Sequence, residues 1–118
     1  MERVIEIFNE GYNCAETMIK VINEENNLDI PVSIGSPFGS GMGVGSVCGA
    51  ITGALMALGA VKGRENPDVL NGSKKSTRDI MKAIQEKYGT YDCLTLKRNG
   101  VSCHEIIEET HRLLQKYT

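Results

Sequence analysis

The sequence predicts an all-α protein, a compact bundle of about five helices around a buried central helix rich in glycine and alanine. Apolar residues recur at three- and four-residue spacing in several segments, and capping residues or glycines flank these segments. No segment alternates convincingly between apolar and polar residues. The 118 residues are enough to bury one core, so we expect a single helical domain over residues 1–118.

The first two helices are expected near the N-terminus. Val4, Ile5 and Phe8 have helical spacing, and they predict a short first helix. Asn13 then precedes a second apolar stripe, and Glu16 stands where it would complete a capping box with Asn13. The stripe of this second helix consists of Cys14, Ala15, Met18, Ile19 and Ile22.

The middle of the chain, from Ile30 to Val61, has no charged residue. Residues 31–43 are rich in glycine, serine and proline, and they predict a loop. Residues from about 44 to 60 are small and apolar, and they predict the central helix. Glycine costs about 1 kcal/mol relative to alanine inside a helix, so regularly spaced glycines indicate that another backbone passes close by. These glycines are Gly45, Gly49 and Gly53.

Two classes of partner are disfavoured. Residues 42–61 are uncharged over the length of a membrane span, and glycines four residues apart are a membrane packing pattern. The segment nevertheless has few bulky apolar residues, and the amphipathic helices around it need an apolar surface to cover, so we expect no membrane insertion. The net charge is -2 and the pI about 5.7, which argues against a nucleic-acid partner.

Three segments complete the predicted bundle. After a polar loop through residues 66–72, a third amphipathic stretch ends at Gly89. A short segment then covers residues 92–98, and a last helix begins at Ser102 with Glu105 in the capping position. The third stretch presents Leu70, Thr77, Ile80, Met81, Ile84 and Tyr88 on one face. The last presents Cys103, Ile106, Ile107, Thr110, Leu113, Leu114 and Tyr117.

All four cysteines follow a capping residue by one or two positions, in Asn13-Cys14, Ser46-Val47-Cys48, Asp92-Cys93 and Ser102-Cys103. The first turn of a helix has free backbone N–H groups and a favourable dipole, which lower the pKa of a thiol and improve it as a nucleophile or metal ligand. A single cysteine of this kind often only fills space in a core. The shared placement instead predicts one site in which the sulfurs of Cys14, Cys48, Cys93 and Cys103 meet.

The compartment also bears on the cysteines. The N-terminus lacks the pattern of a secretory signal, so we expect a cytoplasmic protein. In a reducing compartment, four cysteines indicate metal binding or redox chemistry rather than structural disulfides. His104 is expected to have no special role, and His111 is expected to pair with Glu108 or with a neighbouring helix.

The segment at the second cysteine reads Cys48-Gly49-Ala50-Ile51-Thr52-Gly53, which fits the motif C-G-A-x-x-G, with one cysteine before it and two after it. The arrangement resembles the C_GCAxxG_C_C family of putative redox-active proteins over most of the chain. The resemblance implies that the four cysteines are the functional residues. It also implies that Gly49, Ala50 and Gly53 shape the motif helix. Their small size would leave room beside the Cys48 sulfur for a bound cofactor or a second thiol, and helix packing alone explains the glycines equally well.

Several mechanisms remain open for the four cysteines. The leading hypothesis is a thiol-based redox protein, oxidoreductase-like, that exchanges disulfides or transfers electrons with an unidentified redox partner. Alternatively, Cys14, Cys48, Cys93 and Cys103 hold an iron–sulfur cluster or another thiolate-bound metal. Structural zinc normally uses close cysteine pairs, which the sequence lacks. A non-enzymatic assembly module, with a homodimer through the glycine-rich helix, is the remaining alternative.

Overall fold

The computed structural model describes residues 2–118. In this part of the chain the secondary structure is helical, and the only β pairing is an isolated antiparallel bridge between Val47 and Asp92. The predicted all-α bundle is confirmed. The helices are α1 (Arg3–Asn9), α2 (Cys14–Asn26), α3 (Gly49–Lys62), α4 (Lys74–Tyr88), α5 (Cys93–Arg98) and α6 (Cys103–Tyr117), with a 3₁₀ segment (Val32–Phe38) and a π turn (Gly41–Gly45) between α2 and α3.

The glycine- and alanine-rich helix α3 is the buried helix of the bundle. Helices α2 and α6 both pack against it, α1 lies against α2 and α6, and α4 lies against α6. Its small residues let these neighbours approach, and their bulkier apolar side chains fill the core. The buried residues of α3 are Gly49, Ala50, Ile51, Gly53, Ala54, Ala57 and Leu58. Within residues 2–118 no helix is both long and apolar enough to cross a membrane.

The close backbone approach predicted at the glycines lies between α3 and the start of α2. A Cβ atom added at Gly53 would lie 2.7 Å from both the Cα and the carbonyl oxygen of Ala15. One added at Gly49 would lie 2.8 Å from the carbonyl oxygen of Phe38 and 3.3 Å from the Cβ of Cys14. This face of α3 is therefore occupied within the chain, and a homodimer through the glycine-rich helix stays a prediction.

One predicted helix boundary and one predicted buried residue were wrong. Helix α3 begins at Gly49 rather than near residue 44, and Gly45 lies in the π turn with a φ of +73°, a conformation that favours glycine. Helix α4 begins only at Lys74, so Leu70 is 91% exposed instead of lying on its buried face. The Asn71 side chain accepts hydrogen bonds from the N–H and hydroxyl of Ser73, a local turn that delays the helix.

Candidate functional site

The four cysteines lie at the starts of four helices. Cys14, Cys93 and Cys103 are the first residues of α2, α5 and α6, as the sequence predicts. Cys48 differs, because it is the N-cap residue of α3 and not part of its first turn. All four are free thiols. Cys48 is 3% exposed, whereas the other three are half-buried.

The four cysteines line one small cavity, which confirms that these distant positions meet. The remaining lining is mostly aliphatic, and the cavity volume of about 10 Å³ is close to the smallest that holds one water molecule. The cysteines therefore pack closely, with room for sulfur–sulfur contacts but not for a bulky substrate. The other lining residues are Leu96, Lys97, Val101 and Ile106.

A complete capping box fixes the position of Cys14. The Oδ1 atom of Asn13 accepts a hydrogen bond from the N–H of Glu16 at 2.8 Å, and Oε1 of Glu16 accepts one from the N–H of Asn13 at 2.9 Å. The Asn13 amide also donates to the carbonyl oxygen of Ser36 at 3.1 Å. The cap predicted from the sequence therefore holds both the first turn of α2 and the loop that covers it.

The β-bridge brings the segments of Cys48 and Cys93 together. The N–H of Cys48 donates to the carbonyl oxygen of Tyr91 at 2.9 Å, and the N–H of Cys93 donates to the carbonyl oxygen of Ser46 at 2.7 Å. Each cysteine is the residue next to the bridged pair in its own segment. Both cysteine side chains line the same cavity, so they lie on the same side of the bridge.

A side-chain N-cap precedes Cys103 at the start of α6, whereas the start of α5 before Cys93 has no side-chain cap. The Ser102 hydroxyl accepts a hydrogen bond from the N–H of Glu105 at 3.1 Å, as predicted. The Asp92 side chain makes no capping hydrogen bond to α5, so the start of that helix depends on the bridge.

Burial reverses the predicted electrostatics of two thiols. Burial, together with the neighbouring cysteines and a hydrogen bond to Cys103, raises the pKa of Cys14 to about 12. Burial also raises the pKa of Cys48, although hydrogen bonding from the backbone of Ala50 and Ile51 acts in the opposite direction. The prediction that a helix start lowers the thiol pKa is therefore wrong for Cys14 and Cys48, where loss of water outweighs the backbone N–H groups.

A contact between the Cys14 and Cys103 thiols contributes to the raised pKa of Cys14. It joins the first residues of α2 and α6, two helices that also meet further along. There His111 Nε2 lies 2.8 Å from Oε2 of Glu25, which confirms the predicted contact of this histidine with a neighbouring helix.

A metal centre is not shown among the described residues. Four thiols are suitable ligands for a soft metal or an iron–sulfur cluster. Within residues 2–118, however, no three or more histidine, cysteine, aspartate or glutamate side chains are placed so that they could hold a metal ion. The iron–sulfur cluster and the other thiolate-bound metals stay predictions, and no step below uses them.

Other candidate residues have simpler surroundings. Gly49 and Gly53 allow contact between α2 and α3, and Ala50 is fully buried, so their predicted role beside a cofactor stays a prediction. His104 Nε2 lies 3.1 Å from Oδ1 of Asn9.

Sequence reasoning missed Lys97, which lines the cysteine cavity. Its position four residues after Cys93 on a helix was the available signal.

The chain matches a known protein family. A family model described as "Putative redox-active protein (C_GCAxxG_C_C)" matches residues 12–117. No curated protein and no solved structure matches the chain. The matched range contains all four cysteines and all of the helices that carry them.

Proposed function

The chain belongs to the C_GCAxxG_C_C family of putative redox-active proteins, and from this premise we propose that it is a thiol–disulfide redox protein. Its cysteines exchange electron pairs with a partner that carries a disulfide. The observation that carries the proposal is the single cavity lined by Cys14, Cys48, Cys93 and Cys103. Reversible disulfides need thiols in contact, and this cavity supplies four of them with little space between.

Cys103 is the attacking residue in this proposal. It is half-buried and so reachable from solvent, and it is the first residue of a helix of 15 residues. Cys14 is suited to the second step, because its pKa of about 12 keeps it a neutral thiol near neutral pH. Both cysteines line the same small cavity, which places Cys14 near the sulfur that it would attack.

The exchange proceeds in two balanced steps. The Cys103 thiolate attacks one sulfur of the partner disulfide, a mixed disulfide forms, and the other partner sulfur leaves as a thiolate that takes a proton. Cys14 then gives up its proton and attacks the Cys103 sulfur, which forms the Cys14–Cys103 disulfide and releases the second partner thiol. Two protein thiols are oxidised, and one partner disulfide is reduced to two thiols.

Cys48 and Cys93 form the second dithiol of the proposal. Their side chains lie on one face of the bridge and in the same cavity as the first pair. Exchange inside the cavity would form a Cys48–Cys93 disulfide and return Cys14 and Cys103 to thiols, so the electron pair moves without a further reactant. We place this cycle in the cytoplasm, where reducing conditions regenerate the dithiol form.

Disulfide mapping tests the proposal. The reduced protein is treated with increasing amounts of bis(2-hydroxyethyl) disulfide, free thiols are blocked with iodoacetamide, and the peptides are identified by mass spectrometry. We expect a Cys14–Cys103 disulfide at low oxidant and a Cys48–Cys93 disulfide at high oxidant. If excess oxidant leaves every cysteine free or produces only adducts with the reagent, the proposal is wrong.

A further inference from the structure

Three exposed apolar side chains lie beside the cysteine site. Met42 is 41% exposed, Val44 79% and Leu94 47%, and we call them the apolar patch. The π turn that carries the first two packs against α5, and a Cβ added at Gly45 would lie 3.1 Å from the Cβ of Leu94. Leu94 directly follows Cys93, so the patch lies next to a residue that lines the cysteine cavity.

The backbone under the patch is held in an unfavourable conformation. Ser40 and Met42 have φ values of 53° and 60°, in the left-handed region that side chains disfavour by about 1–2 kcal/mol per residue. Burial of Met42 does not offset this strain, because its side chain stays largely exposed. The turn is nevertheless closed by the N–H of Ser46, which donates to the carbonyl oxygen of Gly41 at 3.0 Å. Strain kept at a surface position is typical of functional segments.

The charges around the patch favour an acidic partner. Lys97 and Arg98 follow Leu94 by three and four positions, so they lie on the same exposed side of α5. In the part of the chain that the structure describes, neither forms an ion pair. Asp92 stands at the opposite end of α5, and residues 30–61 contribute no charge. Lys97 and Arg98 therefore place two positive charges beside Leu94 of the apolar patch. Lys97 also lines the cavity.

Resting on the function proposed above, we infer that the apolar patch is the docking surface for a protein partner whose disulfide lies in an apolar surface bordered by carboxylates. A cavity of about 10 Å³ has no room for a partner, so the partner's sulfur must reach the cysteines from the rim. The patch is the exposed apolar surface at that rim. Lys97 and Arg98 attract the carboxylates and orient the partner.

Two disulfide-cyclised peptides with the same ring test this inference, one flanked by leucine and aspartate and the other by serine and lysine. The probe for basal reactivity is bis(2-hydroxyethyl) disulfide. We expect the protein to react about 10-fold faster with the leucine–aspartate peptide, because apolar contact and charge attraction both favour that encounter. The difference should shrink as salt is added.

Variants with matched controls separate docking from chemistry. Val44→Asp should slow the reaction with the leucine–aspartate peptide about 10-fold and leave the rate with bis(2-hydroxyethyl) disulfide unchanged. Val69→Asp is the control, because Val69 is 55% exposed in the loop after α3, at the far end of that helix from Cys48. Arg98→Glu should remove the preference for the leucine–aspartate peptide.

Each other outcome overturns the inference. If Val44→Asp and Val69→Asp react alike with both peptides, the patch does not dock the partner, while the proposed redox function stands. If the protein sediments as a dimer that Val44→Asp dissociates, the patch is an interface between copies of this chain. If neither the peptides nor bis(2-hydroxyethyl) disulfide oxidise the cysteines, the proposed function fails together with the inference.

Discussion

The N–H of Cys93 donates a hydrogen bond to the carbonyl oxygen of Ser46 at 2.7 Å, and this bond ties the start of α5 to the segment before α3. With the reciprocal bond from Cys48 to Tyr91, it forms a two-residue pairing in an otherwise helical fold. The pairing substitutes for the capping bond that Asp92 does not make. Half of the cysteine site therefore depends on a contact between backbones rather than between side chains.

Exchange of Cys103 and Cys14 for serine should separate the two steps of the proposed reaction. Cys103→Ser should lower the rate with bis(2-hydroxyethyl) disulfide by about 100-fold, since the attacking sulfur is gone. Cys14→Ser should react at a similar initial rate and accumulate a mixed disulfide at Cys103, because the resolving thiol is missing. Rapid quenching and mass spectrometry measure both. An equal loss of rate in the two variants would contradict the assigned order.

Stability should fall at alkaline pH. The pKa of Cys14 is about 12 in the folded protein and 9.0 ordinarily, so between these values the folded state keeps a proton that the unfolded chain has lost. The free energy of unfolding therefore decreases as the pH rises through this interval. The raised pKa values of Cys48 and Tyr88, both caused mainly by burial, act in the same direction.

Urea unfolding of the reduced protein across that pH range measures the effect. The variant Cys14→Ala should lose stability less steeply with rising pH, while keeping the part that Cys48 and Tyr88 contribute. Identical slopes in the variant and the parent protein would mean that Cys14 titrates normally in the folded state.

A methyl group added at Gly53 should destabilise the protein. Its Cβ would lie 2.7 Å from backbone atoms of Ala15, which have no flexible end that can move aside, so Gly53→Ala should cost about 1–3 kcal/mol. The control is Gly59→Ala in the same helix, where a Cβ meets nothing within 4 Å; there we expect a gain of about 0.5–1 kcal/mol. Denaturant titration compares the two. Equal effects at both positions would show that α2 does not constrain Gly53.

Loss of the Asn13 cap should loosen the start of α2. Asn13→Ala removes the capping bond to Glu16 and the bond to Ser36, and we expect a loss of about 1 kcal/mol in the free energy of unfolding. Asp92→Ala is the matched control, since that side chain makes no capping bond, and its effect should stay below about 0.5 kcal/mol. Iodoacetamide should also label Cys14 faster in Asn13→Ala. Unchanged labelling would argue against the cap as the element that positions this thiol.

Local patterns predicted much of the helical fold. The capping box of Asn13 and Glu16 and the cap at Ser102 follow from side chains and N–H groups only three residues apart, so the sequence displays them directly. The prediction that Leu70 lies on the buried face of α4 was wrong, and the reason is also local. Helical spacing placed Leu70 on the buried face, although it precedes the Asn71 turn, which was predicted as part of the loop.

The sequence predicted that the four cysteines would meet, but it did not predict the position of Cys48 or the raised thiol pKa values. Cys48 was expected in a first turn after a Ser46 cap, yet the bridge to residues 91–93 holds Ser46 and Cys48 in extended chain and delays the helix. A pairing between residues so far apart leaves no local pattern. The pKa of Cys14 depends likewise on how much water the assembled bundle excludes, which the placement of a cysteine after a cap does not reveal.

The contact of Gly53 with Ala15 has a consequence for the mutational robustness of this protein. No side chain separates the two backbones there, so the offset between α2 and α3, and with it the spacing of Cys14 and Cys48, is set by main-chain atoms. Substitutions among the larger core residues can change how firmly the bundle holds together without resizing that gap. The absence of a side chain at Gly53 is therefore a condition for the spacing of the two cysteines, and a larger residue at this position would change that spacing directly.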